Sequence, residues 1–434
     1  MPTEHPGSRP AGRLPPLPPS HLPGAWPVEE LDEEQRLMQA TCRRYVDRVL
    51  RPFVQSAWQR EWVMDPADRL PREILEEADR AGLRSLGIPS RFGGVEVDPS
   101  TEAATFAVIA SELARGDVGV ADKLVQNWKV AVLLRALAPE ERQEEWFGQA
   151  LAEPGFLMAH CLTEPRGASD RWLPYNVPEA AMTTRAEHRD GRWVLNGRKH
   201  FISNGYDASL FVVYACTDPS VGMLSGTGSF VVPRGTPGLE IVRCNETVGG
   251  RFMNNGELVL EDCAVPEDHA LAVGDALGKA GIYFRPGKVL QAAKNLGIGQ
   301  EAFAQTAEWV QSRVQGGRVL LEHQAVALRL AAMTTRLEAA GALLRTAASA
   351  VDRRQPEAEV RCEAAKLFTA TEVFEVCRDA VELYGGAGAM LEVGVQKHLR
   401  DAAVYLHMDA TSDITSFRLV KALFPERAGT YAGP

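Results

Sequence analysis

VALRLAAMTTRLEAAGALLRTAASAV, residues 326–351, places Val326, Leu330, Met333, Leu337, Ala340, Leu344, Ala347 and Val351 alternately four and three residues apart. That alternation returns side chains to one face of an α-helix turn after turn, and it predicts a bundle seam. The chain keeps this helical character from about residue 280 onward. Residues 156–275 read differently. Asp190-Gly191 and Asn196-Gly197 are hairpin turn pairs that bracket Trp193-Val194-Leu195 as a short strand. LFVVYA (210–215), SFVVP (229–233), LEIVR (239–243) and ELVLE (257–261) are further β-type runs closed by turn residues. Upstream, Leu31-Asp32-Glu33-Glu34 sets acidic residues in a first helical turn, and 71–82, 101–115, 119–137 and 139–150 read as more helices. The expected fold is therefore α+β and multidomain. It has a Pro-rich tail (1–29), an N-terminal helical domain (30–155), a middle antiparallel β-barrel or sandwich (156–280) and a C-terminal four-helix bundle (281–427).

Bulk properties narrow the function class. A chain of 434 residues is too long for one core. Its 45% hydrophobic and 24% charged residues suit a globular protein bathed in water. The net charge of −10 argues against a nucleic-acid partner, which wants a basic face. Seven cysteines, at 42, 161, 216, 244, 263, 362 and 377, form no CxxC pair, which points to reduced thiols and a cytoplasmic location. Nine histidines show no metal-ligand spacing, so no metal is expected. No apolar run reaches 18 residues, so no membrane helix is expected. The Pro-rich opening lacks the apolar centre of a signal peptide and reads as an extended tail, poorly ordered or lying across a neighbouring surface.

Three stretches carry a family resemblance. CLTEPRGASD (161–170) resembles an acyl-CoA dehydrogenase signature in which Thr, Glu-Pro, a small residue and Ser-Asp follow one another. YGGAGAMLEVGVQKHLRDAAVYLHMDATSDI (384–414) is similar to the family's second signature, which precedes the loop carrying the catalytic base. RVQGGRVLLEHQ (313–324) resembles its Arg-x-x-Phe-Gly-Arg segment. The three fall in the family's order, and the resemblance covers roughly 30–427.

The resemblance implies an FAD enzyme that removes the α-proton of an acyl-CoA while hydride leaves the β-carbon for flavin N5. By motif match, Leu162 and Thr163 meet the flavin pyrimidine, Phe201 covers the flavin and Ser203 meets N5. Ser169 binds FAD phosphate or the adjacent CoA. Arg313, Gln324, Glu382, Gly385 and Gly386 complete the FAD pyrophosphate from another subunit, and Thr411 and Asp413 touch the flavin. Asp409 falls where the family has its base, a Glu, followed by Ala410 beside the substrate where Gly is usual. Arg285, Lys288 and Lys421 are placed to meet substrate phosphates. An electron-transfer flavoprotein acceptor and a homotetramer or dimer of dimers are implied as well.

Several residues depart from the pattern. Gly316 replaces an aromatic, Glu382 a frequent Gln, and RWLPYNVP (171–178) is extra sequence that narrows substrate choice if it lines the acyl mouth. Trp128 and Lys129 stand on the helix expected to floor the acyl pocket, so a short, branched or cyclic acyl group is expected. An α-proton is a weak acid, so the base is expected to be desolvated with a raised pKa, helped by hydrogen bonds to the thioester carbonyl. Two alternatives stay open: a flavin oxidase or monooxygenase on the same fold, or a weakly catalytic acyl-CoA-binding subunit of a mixed tetramer.

Overall fold

The computed structural model describes residues 17–167 and 177–426; Ser169 and residues 171–176 of the extra stretch lie outside the described residues. Helix α1 (Glu33–Tyr45) opens on a capping box. The Asp32 carboxylate accepts the Gln35 N–H at 2.8 Å, and the Gln35 side chain accepts the Asp32 N–H at 3.1 Å. A π-turn over Val46–Leu50 leads into α2 (Arg51–Ser56), followed by α3 (Arg72–Arg80), α4 (Glu102–Gly116), α5 (Val118–Leu137) and α6 (Glu140–Ala152). Buried positions run all round α4 and α5, which is why their sequences read as apolar runs rather than stripes.

The middle region holds β1 (Met158–Cys161), β2 (Arg185–Arg189), β3 (Arg192–Ile202), β4 (Leu210–Cys216), β5 (Thr227–Pro233), β6 (Leu239–Cys244), β7 (Gly256–Pro266) and β8 (Ala270–Ala272), with a one-turn helix α7 (Met223–Gly226) before β5. Strand order is β6-β7-β3-β2-β4-β5-β8, with β1 also on β4. Pairing is antiparallel except for β1 beside β4 and the single Arg185–Cys216 pair between β2 and β4. Asp190-Gly191 makes the expected β2–β3 turn, with both residues at positive φ (49° and 70°). Asn196-Gly197 does not turn. β3 runs straight through it, with a bulge opposite β7 between Leu195 and Gly197. Gly197 sits at φ 151° against Thr184, where a Cβ would lie 2.6 Å from the Thr184 Cα. The dipeptide therefore serves a close approach of two backbones rather than a hairpin.

β4 is buried on both faces. Phe211, Val213 and Ala215 join Phe230, Leu258 and Cys263 between the two halves of the sheet. Leu210, Val212 and Tyr214 pack on Val130, Leu134 and Trp146 of α5 and α6. That second face is what docks the N-terminal helices on the sheet.

Beyond the short α8 (Ala276–Lys279), the bundle comprises α9 (Gly281–Ser312), α10 (Gln324–Asp352), α11 (Ala358–Tyr384), α12 (Val395–Tyr405) and α13 (Ser412–Leu423). A tight hairpin, β9 (Val314–Gln315) and β10 (Arg318–Val319), joins α9 to α10. Met333, Leu337, Ala340, Leu344 and Ala347 of the seam are buried, whereas Val326, Leu330 and Val351 at its ends are only half-buried. The described part of the Pro-rich tail lies across this chain's own bundle. Leu22 joins the core, Gln300 donates to the Pro23 carbonyl at 3.1 Å, and Gly24 crosses Gly341 backbone against backbone.

Candidate active site

A cavity of about 320 Å³ opens where α5, the ends of β1 and β3, the start of α9 and the α12–α13 loop meet. Leu162, Thr163, Phe201, Ser203, Asp409, Ala410 and Thr411 all line it, so the structure gathers residues spread over some 250 positions of sequence.

The β wall is held by main-chain and buried ionic contacts. The Thr163 carbonyl accepts from the His200 N–H at 2.9 Å, and Lys199 Nζ donates to the Leu162 carbonyl at 3.2 Å. Lys199 also pairs with Glu164 at 2.8 Å, and Glu164 accepts from Thr183 and Thr184. Burial disfavours the Glu164 carboxylate, but Lys199 and these donors outweigh it and hold its pKa down at about 2. Lys199 responds in the opposite sense. Its burial exceeds what Glu164 returns, so its pKa is lowered too, and the pair is worth less than the Glu164 shift alone suggests. Glu164 sits within the 161–170 motif and Lys199 in none of the quoted stretches, yet together they tie β1, β2 and β3 around the cavity. Phe201 has φ 57° and stays 60% exposed at the rim. An aromatic residue in the left-handed region, with its ring left open, is strain that suits a platform for a flat ligand.

The helical wall carries Asp409. Its carboxylate lies 3.1 Å from Lys129 Nζ, and the ammonium sits 4.4 Å over the Tyr283 ring. Burial would raise the Asp409 pKa, but the charges of Lys129, Lys288 and Lys294 overcome that and hold it well below the usual carboxylate range. Lys129, in turn, is raised by Asp409 and Tyr283 despite its burial. The expectation of a raised base is thus corrected: Asp409 is a firmly ionised, ion-paired carboxylate, because lysines surround it. Trp128 does not obstruct the cavity. It is fully buried, donates to the Leu83 carbonyl at 2.6 Å and packs on Phe106. Lys129 shares its helix with Asp122, Lys123 and Arg135, so nothing in the local sequence set it apart as the partner of Asp409. Gly287 makes room for it, since a Cβ there would lie 3.2 Å from the Lys129 Cε. Gln126, His160, Tyr283 and His407 also line the cavity.

Lys288 is corrected in role. It is buried and donates to the Asp409 carbonyl, so it does not face a substrate phosphate. Arg285 and Asp413 are exposed and Lys421 is half-buried; none of the three lines the cavity. Arg313, Gln324, Glu382, Gly385 and Gly386 are likewise exposed and absent from its lining. They cluster around the far end of the bundle, where Trp309 stacks on Tyr384 at 4.6 Å and the Arg313 guanidinium lies 5.7 Å from the Trp309 ring.

A sheet domain clasped between two helical regions, with a cavity joining all three, defines the architectural class. Family models for the N-terminal, middle and C-terminal domains of acyl-CoA dehydrogenase match residues 32–154, 159–263 and 282–424. The chain belongs to the acyl-CoA dehydrogenase family. It is 31% identical to a cyclohex-1-ene-1-carbonyl-CoA dehydrogenase from Geobacter metallireducens over 92% of this chain and 100% of that one. The butyryl-CoA dehydrogenase structure from Megasphaera elsdenii superposes with a TM-score of 0.81 at 26% identity, covering 91% of this chain and 98% of the other. A glutaryl-CoA dehydrogenase from Mycobacterium smegmatis in complex with FADH2 gives 0.79 at 26% identity, covering 91% and 95%.

Proposed function

We propose that the protein is an FAD-dependent acyl-CoA dehydrogenase in which Asp409 takes the α-proton. The observation that carries this reading is the convergence of Leu162, Thr163, Phe201 and Ser203 with Asp409–Thr411 around one cavity. Those residues suit a flavin: an exposed aromatic face, a hydroxyl and fixed strand backbone. FAD, when bound, supplies the acceptor for the hydride that leaves the β-carbon. Asp409 stands ready in the ionised form that accepts a proton. Lys129 keeps it so, and by the same pairing limits its basicity. Asp is a methylene shorter than Glu, roughly 1.5 Å, so the strained loop at φ 53° (Asp409) and 93° (Ala410) has to advance the carboxylate.

The exposed Arg313–Gln324 and Glu382–Gly386 surface serves the FAD of another subunit in a homotetramer or dimer of dimers. Exposed Leu328, Phe417 and Phe424 on the bundle and the segment after it support such an assembly. Electrons leave to an electron-transfer flavoprotein, and the seven free cysteines suit a cytoplasmic setting. A second reading, an acyl-CoA-binding subunit with little turnover, is favoured by the Lys129–Asp409 ion pair. Anaerobic bleaching of the flavin absorbance against a panel of acyl-CoA thioesters separates the two. At least one thioester should bleach it in seconds, and a yellow protein reduced by none would sink the dehydrogenase reading.

A further inference from the structure

The loop after α12 is held from behind. Asp409 and Ala410 are both in the left-handed region, at φ 53° and 93°, and for Ala410 that conformation is strained. Lys288 of α9 donates to the Asp409 carbonyl, and Lys366 of α11 donates to the Ala410 carbonyl and, at 3.1 Å, to Thr415 Oγ1. Both lysines are buried in the bundle, and neither lines the cavity, whereas Asp409, Ala410 and Thr411 all do. A peptide unit is planar, and in the trans form its C=O and N–H point in opposite directions. With the Asp409 carbonyl on Lys288, the N–H of Ala410 therefore points away from the bundle. With the Ala410 carbonyl on Lys366, so does the N–H of Thr411. Among the described residues, neither N–H has an acceptor. Two unmatched donors on a rigidly held loop at a cavity wall are rare unless something fills them.

We infer that Lys288 and Lys366 are positioning residues that turn the Ala410 and Thr411 N–H groups onto an acceptor oxygen of the cavity's ligand. Acceptors of that chemistry come from two sources, the carbonyl of an acyl thioester and a carbonyl of the flavin ring. The strain at Ala410 has a role in it, because an extended residue there would swing its carbonyl off Lys366. Burial pushes the Lys288 ammonium down to about 7 and that of Lys366 to about 8, the cost of holding two cations behind one loop.

The inference rests on the acyl-CoA reading of the cavity, and the test separates the two. Holoenzyme and the Lys288→Met/Lys366→Met variant are titrated with crotonyl-CoA, following its ultraviolet band and the visible band of the flavin. If the acceptor is the thioester carbonyl, the red shift of the bound crotonyl-CoA band is lost and affinity falls about tenfold, because two polarising donors drift. If the acceptor is a flavin carbonyl, the flavin band moves even without thioester. Unchanged bands and affinity in the folded variant overturn the inference. Should the double variant not fold, Thr415→Val loosens Lys366 alone and should weaken crotonyl-CoA or shift the flavin band by a smaller amount, roughly threefold in affinity. No change there overturns it equally. A clamp-dependent band shift in a protein that no acyl-CoA reduces would sink the dehydrogenase reading and leave the clamp standing.

Discussion

Replacing Asp409 with Asn keeps the shape of the side chain and removes both its charge and its capacity to accept a proton. The pair it breaks is 3.1 Å long, with Lys129 7% exposed and Asp409 about a third exposed, at 36%. At an effective dielectric of 20, two charges at that distance attract by about 5 kcal/mol. Screening through the exposed side of Asp409 reduces this to about 2 kcal/mol. Lys129 keeps Tyr283 beneath it, which limits further loss. Asp409→Asn should therefore lower stability by about 2 kcal/mol, a shift of a few degrees in Tm. Adding Lys129→Met removes the stranded ammonium and should recover most of that loss. Activity should behave differently. Loss of a general base slows the flavin-reduction step by roughly 10²–10⁴-fold, and the second substitution should not restore it. Stopped-flow reduction by the best thioester, beside thermal melting of both variants and of Lys129→Met alone, completes a double-mutant cycle. Wild-type reduction rates in an Asn variant with full FAD content would refute the reasoning. A double variant as active as the wild type would refute it as well.

Further outcomes are expected. Arg313→Ala should weaken FAD retention about tenfold, since a guanidinium on a pyrophosphate makes strong charge-assisted bonds. At limiting FAD, co-expressing Arg313→Ala chains with Asp409→Asn chains should give more activity than either variant alone, because one intact site forms from two chains; no gain would place both residue sets in one subunit's site. The Glu164 pKa is depressed to about 2 from 4.5, so its stabilisation is complete above pH 4.5 and disappears as pH falls towards 2. Glu164→Gln should flatten that acid limb of the unfolding free energy and, at pH 7, destabilise by about 3 kcal/mol. The Lys288 pKa is lowered to about 7, so between there and the usual lysine value the unfolded chain binds more protons and stability rises with pH. Denaturant melts of Lys288→Met should lack that alkaline rise.

The order of helices, strands and helices was legible because each segment carries its own period: the four-three seam of 326–351, and the β-branched runs at 210–215 and 229–233. Likewise, the resemblance of 384–414 to the family's second signature singled out Asp409, which the fold sets on the cavity wall. Such features are local, and a local pattern needs no partner to be read. What the fold alone decided depends on groups distant in sequence. Asn196-Gly197 turns elsewhere in proteins, but here β7 pairs along the whole of β3 and converts it to a bulge. The residues matched to FAD divide between a cavity and a remote bundle surface, which only the packing of α9–α11 separates. The ionisation of Asp409 was beyond any local pattern, because it is set by Lys129, 280 residues away. A pKa follows the charges and burial around a group, and those exist only once α5, α9 and the 409–410 loop have packed together.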